Sequence, residues 1–277
     1  MGRNIKRYLL ILAIAAALGS AASAQGPAPF IDGETLTYEG KVSRIIQGIA
    51  VADLTFTVDR AADADYLIKA EAKSKGSLLK LFRFSFLQRL ETTVDDSGFR
   101  VTRTVKHDVQ KDRVRDSEAL FNYGDKRVTY TEVDPKDPMR PPRKIASEIE
   151  GTTHDLVSGV YTLRMLPLAV GKTFHLKISD SGLVYDVPVK VTAREMQKTE
   201  IGKVMCFRVE PQVFGPGRLI ENDGTMIIWI TDDARRLPVR SRVNASVGKI
   251  EIGIRSVGNA KTKTKTPTPA VQTTGTR

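Results

Sequence analysis

The chain has one cysteine and three histidines among 277 residues, which limits its redox and metal chemistry. Cys206 has no second thiol to pair with, so an intrachain disulfide is excluded. Residues 204–209 alternate in polarity like a strand, which predicts a buried, unreactive thiol. His107, His154 and His175 lie far apart and have neither H-x-H nor H-E-x-x-H spacing. We therefore expect no metal and no cofactor.

Motifs of the common hydrolases are also missing. There is no G-x-S-x-G elbow. Ser77-Leu78-Leu79-Lys80 matches the S-x-x-K of penicillin-binding enzymes, but the S-x-N and K-T-G partners of that chemistry are absent. Gly171-Lys172-Thr173 resembles the end of a phosphate-binding loop, yet Leu166 occupies the position of its first glycine. The sequence thus favours a protein that is not an enzyme.

No segment is apolar and long enough to cross a bilayer, which takes about 20 residues. The longest apolar run, residues 8–18, has 11 residues and follows three basic side chains. Ala22-Ser23-Ala24 then fits the A-x-A cleavage pattern. We predict that residues 1–24 are a cleavable signal peptide and that the mature protein lies in the periplasm. No cysteine lies near Ala24, so we expect neither lipid attachment nor a transmembrane anchor.

The net charge of +11 comes largely from the two ends of the chain. The leader contributes three positive charges and the tail, residues 259–277, contributes four, which leaves +4 for residues 25–258. A balance this even argues against nucleic acid as a partner. The tail is rich in Lys, Thr and Pro, and we predict that it is disordered. It is either simply solvated or in contact with an anionic envelope surface.

The sequence does contain the residue alternation that is typical of β-strands. Val, Ile, Thr, Phe and Tyr alternate with polar residues in short runs, which predicts antiparallel strands. Asp95-Asp96-Ser97-Gly98 and Tyr123-Gly124-Asp125 are typical hairpin turns between such runs. We expect one β-rich domain over residues 25–258. Its proline-rich segment, near 134–150, either divides two lobes or crosses between two edges of one sheet.

One helix is predicted near residues 153–165. Leu156, Val160 and Leu163 fall on a single face, and Pro167 ends the pattern. Thr152 or Thr153 is the expected N-cap. The predicted fold is therefore mainly β: an antiparallel curved sheet or half-barrel around this helix.

Motifs in the second half occur in an order that resembles a known family. They are Asp155-Leu156-Val157-Ser158-Gly159-Val160-Tyr161-Thr162-Leu163-Arg164, Cys206-Phe207-Arg208-Val209-Glu210-Pro211, Trp229-Ile230-Thr231-Asp232-Asp233 and Gly248-Lys249-Ile250. The chain resembles, over residues 34–257, the uncharacterised periplasmic family called domain of unknown function 3108. The resemblance implies a β-rich envelope protein without an established activity. At fold level the pattern is similar to lipocalins and to outer-membrane lipoprotein carriers, whose curved sheets form apolar cradles.

One segment suggests contact with an apolar ligand. Residues 77–87 concentrate Leu and Phe among Lys and Arg, as in an apolar lip that contacts lipid, although the same residues also suit a core. Side chains of the predicted helix and the single tryptophan are further candidates for ligand contact. The candidates are Leu81, Phe82, Phe84, Phe86, Tyr161, Arg164 and Trp229.

Two functions from different classes follow. The first is a non-enzymatic periplasmic binding or scaffold protein that holds an apolar or lipidic ligand, or contacts another envelope protein. The alternative is a periplasmic hydrolase or cell-wall-modifying enzyme. Asp155, Tyr161 and Arg164, on or beside the predicted helix, would then converge in an open pocket. If Asp155 only caps the helix and Arg164 pairs with a distant acid, the hydrolase alternative has lost its candidate catalytic residues.

Overall fold

The computed structural model describes residues 28–43, 48–61, 65–245 and 248–259. The side chains of Leu81, Phe82 and Ala245 lie outside this description. The predicted signal peptide and the predicted tail from residue 260 onward also lie outside it. Asn259, which we counted with the tail, ends the last strand.

Within the described residues the chain forms two helices and a 15-stranded sheet. Helix α1 spans Gly76–Phe82 and α2 spans Leu156–Met165. The strands are β1 Glu34–Ser43, β2 Ile49–Arg60, β3 Tyr66–Ser74, β4 Phe86–Val94, β5 Val101–Gln110, β6 Arg113–Asn122, β7 Arg127–Val133, β8 Arg143–Glu148, β9 Thr153–His154, β10 Thr173–Asp180, β11 Leu183–Thr199, β12 Gly202–Pro211, β13 Gly224–Thr231, β14 Pro238–Ala245 and β15 Gly248–Asn259.

The strand order is β8-β7-β6-β5-β4-β3-β2-β1-β15-β14-β13-β12-β11-β10-β9. Neighbours are antiparallel except β9 and β10, which pair in parallel. The two edges approach each other, because Ser147 Oγ of β8 donates to the carbonyl oxygen of Gly182 over 2.6 Å. The predicted fold class, a curved and open antiparallel sheet, is confirmed. The proline-rich segment leads into β8 at one edge, and the chain then passes to β9 at the other edge before it forms α2.

Both predicted hairpins are confirmed, and side chains in the turns stabilise them. In the β4–β5 turn, Asp95 Oδ1 accepts hydrogen bonds from the backbone N–H of Gly98 over 3.0 Å and of Arg100 over 3.2 Å. In the β6–β7 turn, Asn122 Oδ1 accepts from the backbone N–H of Asp125 over 2.9 Å. Asp and Asn are favoured in turns because their short side chains bond to the backbone in this way.

The predicted cap of the long helix is wrong. Thr153 pairs with β10 as part of β9, so its backbone is already committed to the sheet. The N-cap is Asp155, whose Oδ1 accepts from the backbone N–H of Ser158 over 2.7 Å. Ser158 Oγ in turn accepts from the Asp155 N–H over 3.0 Å, which completes a capping box. The helix therefore begins at Leu156 rather than near 153.

Helix α2 lies on the concave side of the sheet and closes one end of the half-barrel. It contacts β3, β4, β9 and β10. At this end Phe30 packs edge-on against Tyr66 and Tyr161, with ring centroids 5.4 and 5.2 Å apart. Gly159 allows the helix to approach β10, since a Cβ there would lie 2.9 Å from Ile178 Cδ1. The aromatic cluster around Phe30 thus fills this end, whereas the opposite end remains open.

Candidate functional site

The open end owes its space to small side chains on neighbouring strands. Gly40 of β1 is paired with Ala52 of β2, and Leu54 of β2 is paired with Ala72 of β3. On a curved sheet, small residues on the concave face leave a void that larger ones would fill. The concave face of β1–β3 therefore forms the floor of a cavity.

The cavity has a volume of 510 Å³, within the range of about 300–1,000 Å³ that is usual for small-molecule sites. Every described residue that lines it is apolar or glycine. They are Gly40, Val42, Val51, Ala52, Leu54, Ala72, Leu78, Phe84, Phe86, Ile250 and Ile252. The lining offers a ligand burial of apolar surface and no charged partner.

Helix α1 lies across this end, and β2 holds its first turn. The Lys75 N–H donates to the carbonyl oxygen of Val51 over 2.7 Å. The Ser77 hydroxyl donates to the carbonyl oxygen of Ala50. Leu78, in the same turn, lines the cavity.

An ion-pair network outside the cavity fixes the start of α1. Lys75 Nζ lies 2.8 Å from Glu39 Oε1 and 3.0 Å from Asp53 Oδ1. Arg255 also donates to Glu39. The hydrogen bond from Lys75 lowers the pKa of Glu39 to about 2, and Arg255 acts in the same direction. These pairs hold α1 against the sheet without occupying the apolar space.

The predicted lip, residues 77–87, is divided between α1 and the start of β4. Phe84 and Phe86 both line the cavity, with ring centroids 6.3 Å apart. Both are only half-buried. The side chains of Leu81 and Phe82, also proposed as ligand contacts, lie outside the description. The described part of the segment thus contains two proposed contacts at one apolar cavity.

Two smaller cavities adjoin the first one. A cavity of 240 Å³ shares Leu54 and Ala72 with it, and a cavity of 130 Å³ shares Leu54 and Ile252. Tyr161 and Arg164 line the smallest cavity, close to α2. The three cavities therefore adjoin one another along the concave face, from α1 toward α2.

Arg164 is a buried structural residue. Its guanidinium bonds Glu34 through Nη1–Oε1 at 2.6 Å and Nη2–Oε2 at 3.2 Å, and both side chains are 1% exposed. Nη2 also donates to the carbonyl oxygens of Pro29 over 3.2 Å and of Arg235 over 3.1 Å. The pair joins α2 to β1 and to the loop before β14. The charge of Arg164 is committed to the fold, and its side chain also borders the 130 Å³ cavity.

Asp155 is likewise committed to the fold. Besides its bonds to Ser158, its Oδ2 accepts hydrogen bonds from the hydroxyls of Thr92 and Thr104, the latter over 2.8 Å. The carboxylate thereby joins the start of α2 to β4 and β5. Burial raises the pKa of the Tyr161 hydroxyl, which disfavours proton transfer near neutrality. Asp155, Tyr161 and Arg164 do not form the converging open arrangement that the hydrolase alternative requires.

Trp229 does not line the apolar cavity. It is 3% exposed and packs with Cys206, Leu237 and Val239. Its Nε1 donates to Glu195 Oε1 over 2.5 Å, which places it against the long β11–β12 hairpin. Trp229 is therefore separated from Phe84 and Phe86, which the sequence grouped with it.

The predicted burial of the single cysteine is confirmed. Cys206 is fully buried, and burial raises the pKa of its thiol to about 12. Within the described residues no group of three or more His, Cys, Asp and Glu side chains is arranged to hold a metal ion. Nor does any described helix have the length and apolar character needed to cross a membrane.

His154 makes the stability of the fold depend on pH. Burial lowers its pKa from 6.5 to about 4, so the unfolded chain takes up a proton before the folded chain does. The contribution of His154 to the free energy of unfolding is therefore complete above pH 6.5 and amounts to about 3 kcal/mol. It is lost as the pH falls toward 4.

We expect urea unfolding of His154→Gln to show a smaller loss of stability across that pH range than the unchanged protein shows. His175→Gln is the matched control, because His175 is exposed and pairs only with Asp186, over 3.1 Å. Equal pH slopes for all three proteins would contradict this role for His154.

Sequence reasoning missed the small residues of the concave face and one lysine that lines the 240 Å³ cavity. Ala70 and Ala72 of β3 line the 240 Å³ cavity, and so does Lys106 of β5. The alternation along β3 could have assigned both alanines to the concave face, since Ile68 precedes them on that face. Nothing in the sequence indicates which strands bring them together.

The chain was compared with known proteins. No curated protein matches it. It is similar to a β-barrel-like protein of the domain of unknown function 1849 from Brucella abortus, with 10% identity, a TM-score of 0.58, and coverage of 82% of this chain and 97% of that chain. A protein described as exported, with a YmcC-like fold, from Bacteroides fragilis has 11% identity and a TM-score of 0.31, over 83% of this chain and 98% of that chain. The first similarity shows a shared fold and nothing more. The TM-score of the second is too low to establish even a shared fold.

Family membership rests on the sequence itself. The profile of the family described as "Protein of unknown function (DUF3108)" matches residues 35–255, from β1 to β15. This range is nearly the one over which the ordered motifs pointed to that family. The chain belongs to the DUF3108 family.

Proposed function

We propose that this protein is an exported, non-enzymatic component of the cell envelope that holds an apolar or lipidic ligand in the concave space of its sheet. The observation that carries the proposal is the 510 Å³ cavity, whose lining within the described ranges is entirely apolar or glycine. Burial of a ligand in an apolar space is favourable by about 25 cal/mol for each Å² of apolar surface removed from water. The predicted leader supports an envelope location.

The position of the cavity supports binding over simple loose packing. The closed end contains the aromatic cluster of Phe30, Tyr66 and Tyr161 and the buried Glu34–Arg164 pair, so the fold has a packed core without filling the open end. Phe84 and Phe86 remain half-buried there, and Leu79 of α1 is 53% exposed. Apolar side chains left exposed beside an apolar cavity are typical of binding sites.

The direct test is to purify the protein from the envelope fraction and to weigh it by native mass spectrometry. We expect a population with the mass of one bound lipid, which disappears after extraction with organic solvent. Lipid analysis of the extract identifies the ligand. Protein that is consistently empty, and that binds neither fatty acids nor fatty alcohols after purification, would overturn the proposal.

A further inference from the structure

The concave face changes from apolar to polar across the strands. In one inward-facing row, Leu54 of β2 is paired with Ala72, Ala72 with Gln88, and Gln88 with Asp108. In the next row, Phe56 is paired with Ala70, Ala70 with Leu90, and Leu90 with Lys106. The β1–β3 side is therefore hydrocarbon-like, whereas the β4–β5 side offers amide, carboxylate and ammonium groups.

Lys106 is the cation of this polar side. It is half-buried and lines the 240 Å³ cavity together with Leu54, Phe56, Leu90 and Phe121. Its ammonium group has neither a hydrogen bond nor an ion pair among the described residues. A lysine ammonium in such apolar surroundings is costly to desolvate unless an anion accompanies it.

Three of the carboxylates near Lys106 are engaged elsewhere, whereas Asp180, which lines the same cavity, has no side-chain partner among the described residues. Asp108 accepts from Gln88 over 2.9 Å and from Gln110 over 3.1 Å, and it lies 3.6 Å from Arg113. Asp155 accepts from Ser158 and from two threonines. Glu71 pairs with Arg89 over 2.7 Å. Lys106 is thus left available to a ligand.

Chain and head of a ligand would lie in adjoining compartments. Leu54 and Ala72 line both the 510 Å³ apolar cavity and the 240 Å³ cavity that contains Lys106. A molecule can therefore place a hydrocarbon chain in the first compartment and its head in the second. Gln88 and Ser117 line the second compartment beside Lys106 and supply further hydrogen-bonding groups.

We propose that the ligand is an anionic single-chain amphiphile of the fatty-acid type, with its hydrocarbon chain in the cavity of β1–β3 and α1 and its acidic head on Lys106. This inference rests on the proposed function and specifies the ligand of the same site. A carboxylate on a lysine forms a charge-assisted hydrogen bond, which is stronger than a neutral one and shorter.

The test compares palmitate with cetyl alcohol, its neutral counterpart of the same chain length, by displacement of a fluorescent fatty-acid probe. We expect the unchanged protein to prefer palmitate about tenfold. Lys106→Met, which keeps the length of the side chain, should remove that preference and leave the affinity for cetyl alcohol unchanged. Lys69→Met is the matched control, because Lys69 is exposed on the opposite face of β3 and should keep the preference.

The possible outcomes separate the two proposals. Equal binding of palmitate and cetyl alcohol by the unchanged protein, or a preference that survives Lys106→Met, overturns the role of Lys106 and leaves the apolar site intact. Binding of neither compound overturns both. Circular dichroism of Lys106→Met establishes that the variant is folded before binding is compared.

Discussion

Glu34→Ala is expected to lower the free energy of unfolding by about 3–5 kcal/mol, because it leaves the guanidinium of Arg164 buried without its carboxylate. For a chain of this size the midpoint of thermal unfolding should fall by about 10 °C. The remaining partners of Arg164 are the carbonyl oxygens of Pro29 and Arg235, which carry no compensating charge. Thermal and urea unfolding followed by circular dichroism measure the change.

Two further variants distinguish this ion pair from a general effect of mutation. Arg235→Ala removes a half-exposed side chain 3.5 Å from the same carboxylate and should cost less than about 1 kcal/mol. The double variant Glu34→Leu with Arg164→Met should be less destabilised than the sum of its single changes, since neither charge is left alone. A cost for Glu34→Ala no greater than that for Arg235→Ala would contradict the central role given to the pair.

Ala72→Phe is expected to weaken the binding of palmitate by at least tenfold without destabilising the fold. Ala72 lines both the 510 Å³ and the 240 Å³ cavity, so an aromatic ring there fills the space that a hydrocarbon chain would occupy. Forcing a large side chain into a close-packed core costs about 1–3 kcal/mol, whereas a ring that enters an open cavity avoids this cost. Displacement of the fluorescent probe therefore measures the affinity for palmitate, and thermal unfolding measures whether the variant keeps its stability.

The control for this variant is Ala146→Phe. Ala146 lies on the edge strand β8, and its side chain is exposed, so the same change adds the same ring outside the cavity. It should leave the affinity for palmitate unchanged. Loss of binding in both variants, or a marked loss of stability in Ala72→Phe, would count against an open cavity at this position.

Features that depend on short stretches of sequence could be predicted. The hairpin turns at residues 95–98 and 122–125 contain Asp and Asn side chains that bond to neighbouring backbone groups, and both turns are present. The alternation of residues likewise indicated the antiparallel sheet. The prediction of the N-cap of α2 was wrong because Thr and Asp are both favoured at that position, and both Thr153 and Asp155 are available. Pairing of Thr153 with β10 decides between them and is not encoded locally.

Features that depend on long-range register could not be predicted. Glu34 and Arg164 are 130 positions apart, and only the curvature of the sheet around α2 brings them together. Trp229 and Phe84 both belong to apolar runs, yet the first packs beneath a hairpin and the second lines the cavity. The cavity floor combines small residues from three strands whose alignment is set by pairing. A single sequence reveals the alternation in each strand but not which strands are neighbours.

The most direct test of the account uses a fatty acid that carries a nitroxide near its methyl end. In a methyl-resolved NMR spectrum we expect saturable broadening of the signals of Val42, Val51, Leu78 and Ile250, which line the apolar cavity. The signals of Val94 and Val101, buried at the closed end, should stay sharp. Absence of broadening, or broadening equally strong at the exposed side chains of Met139 and Leu183, would contradict the claim that this cavity holds the hydrocarbon chain.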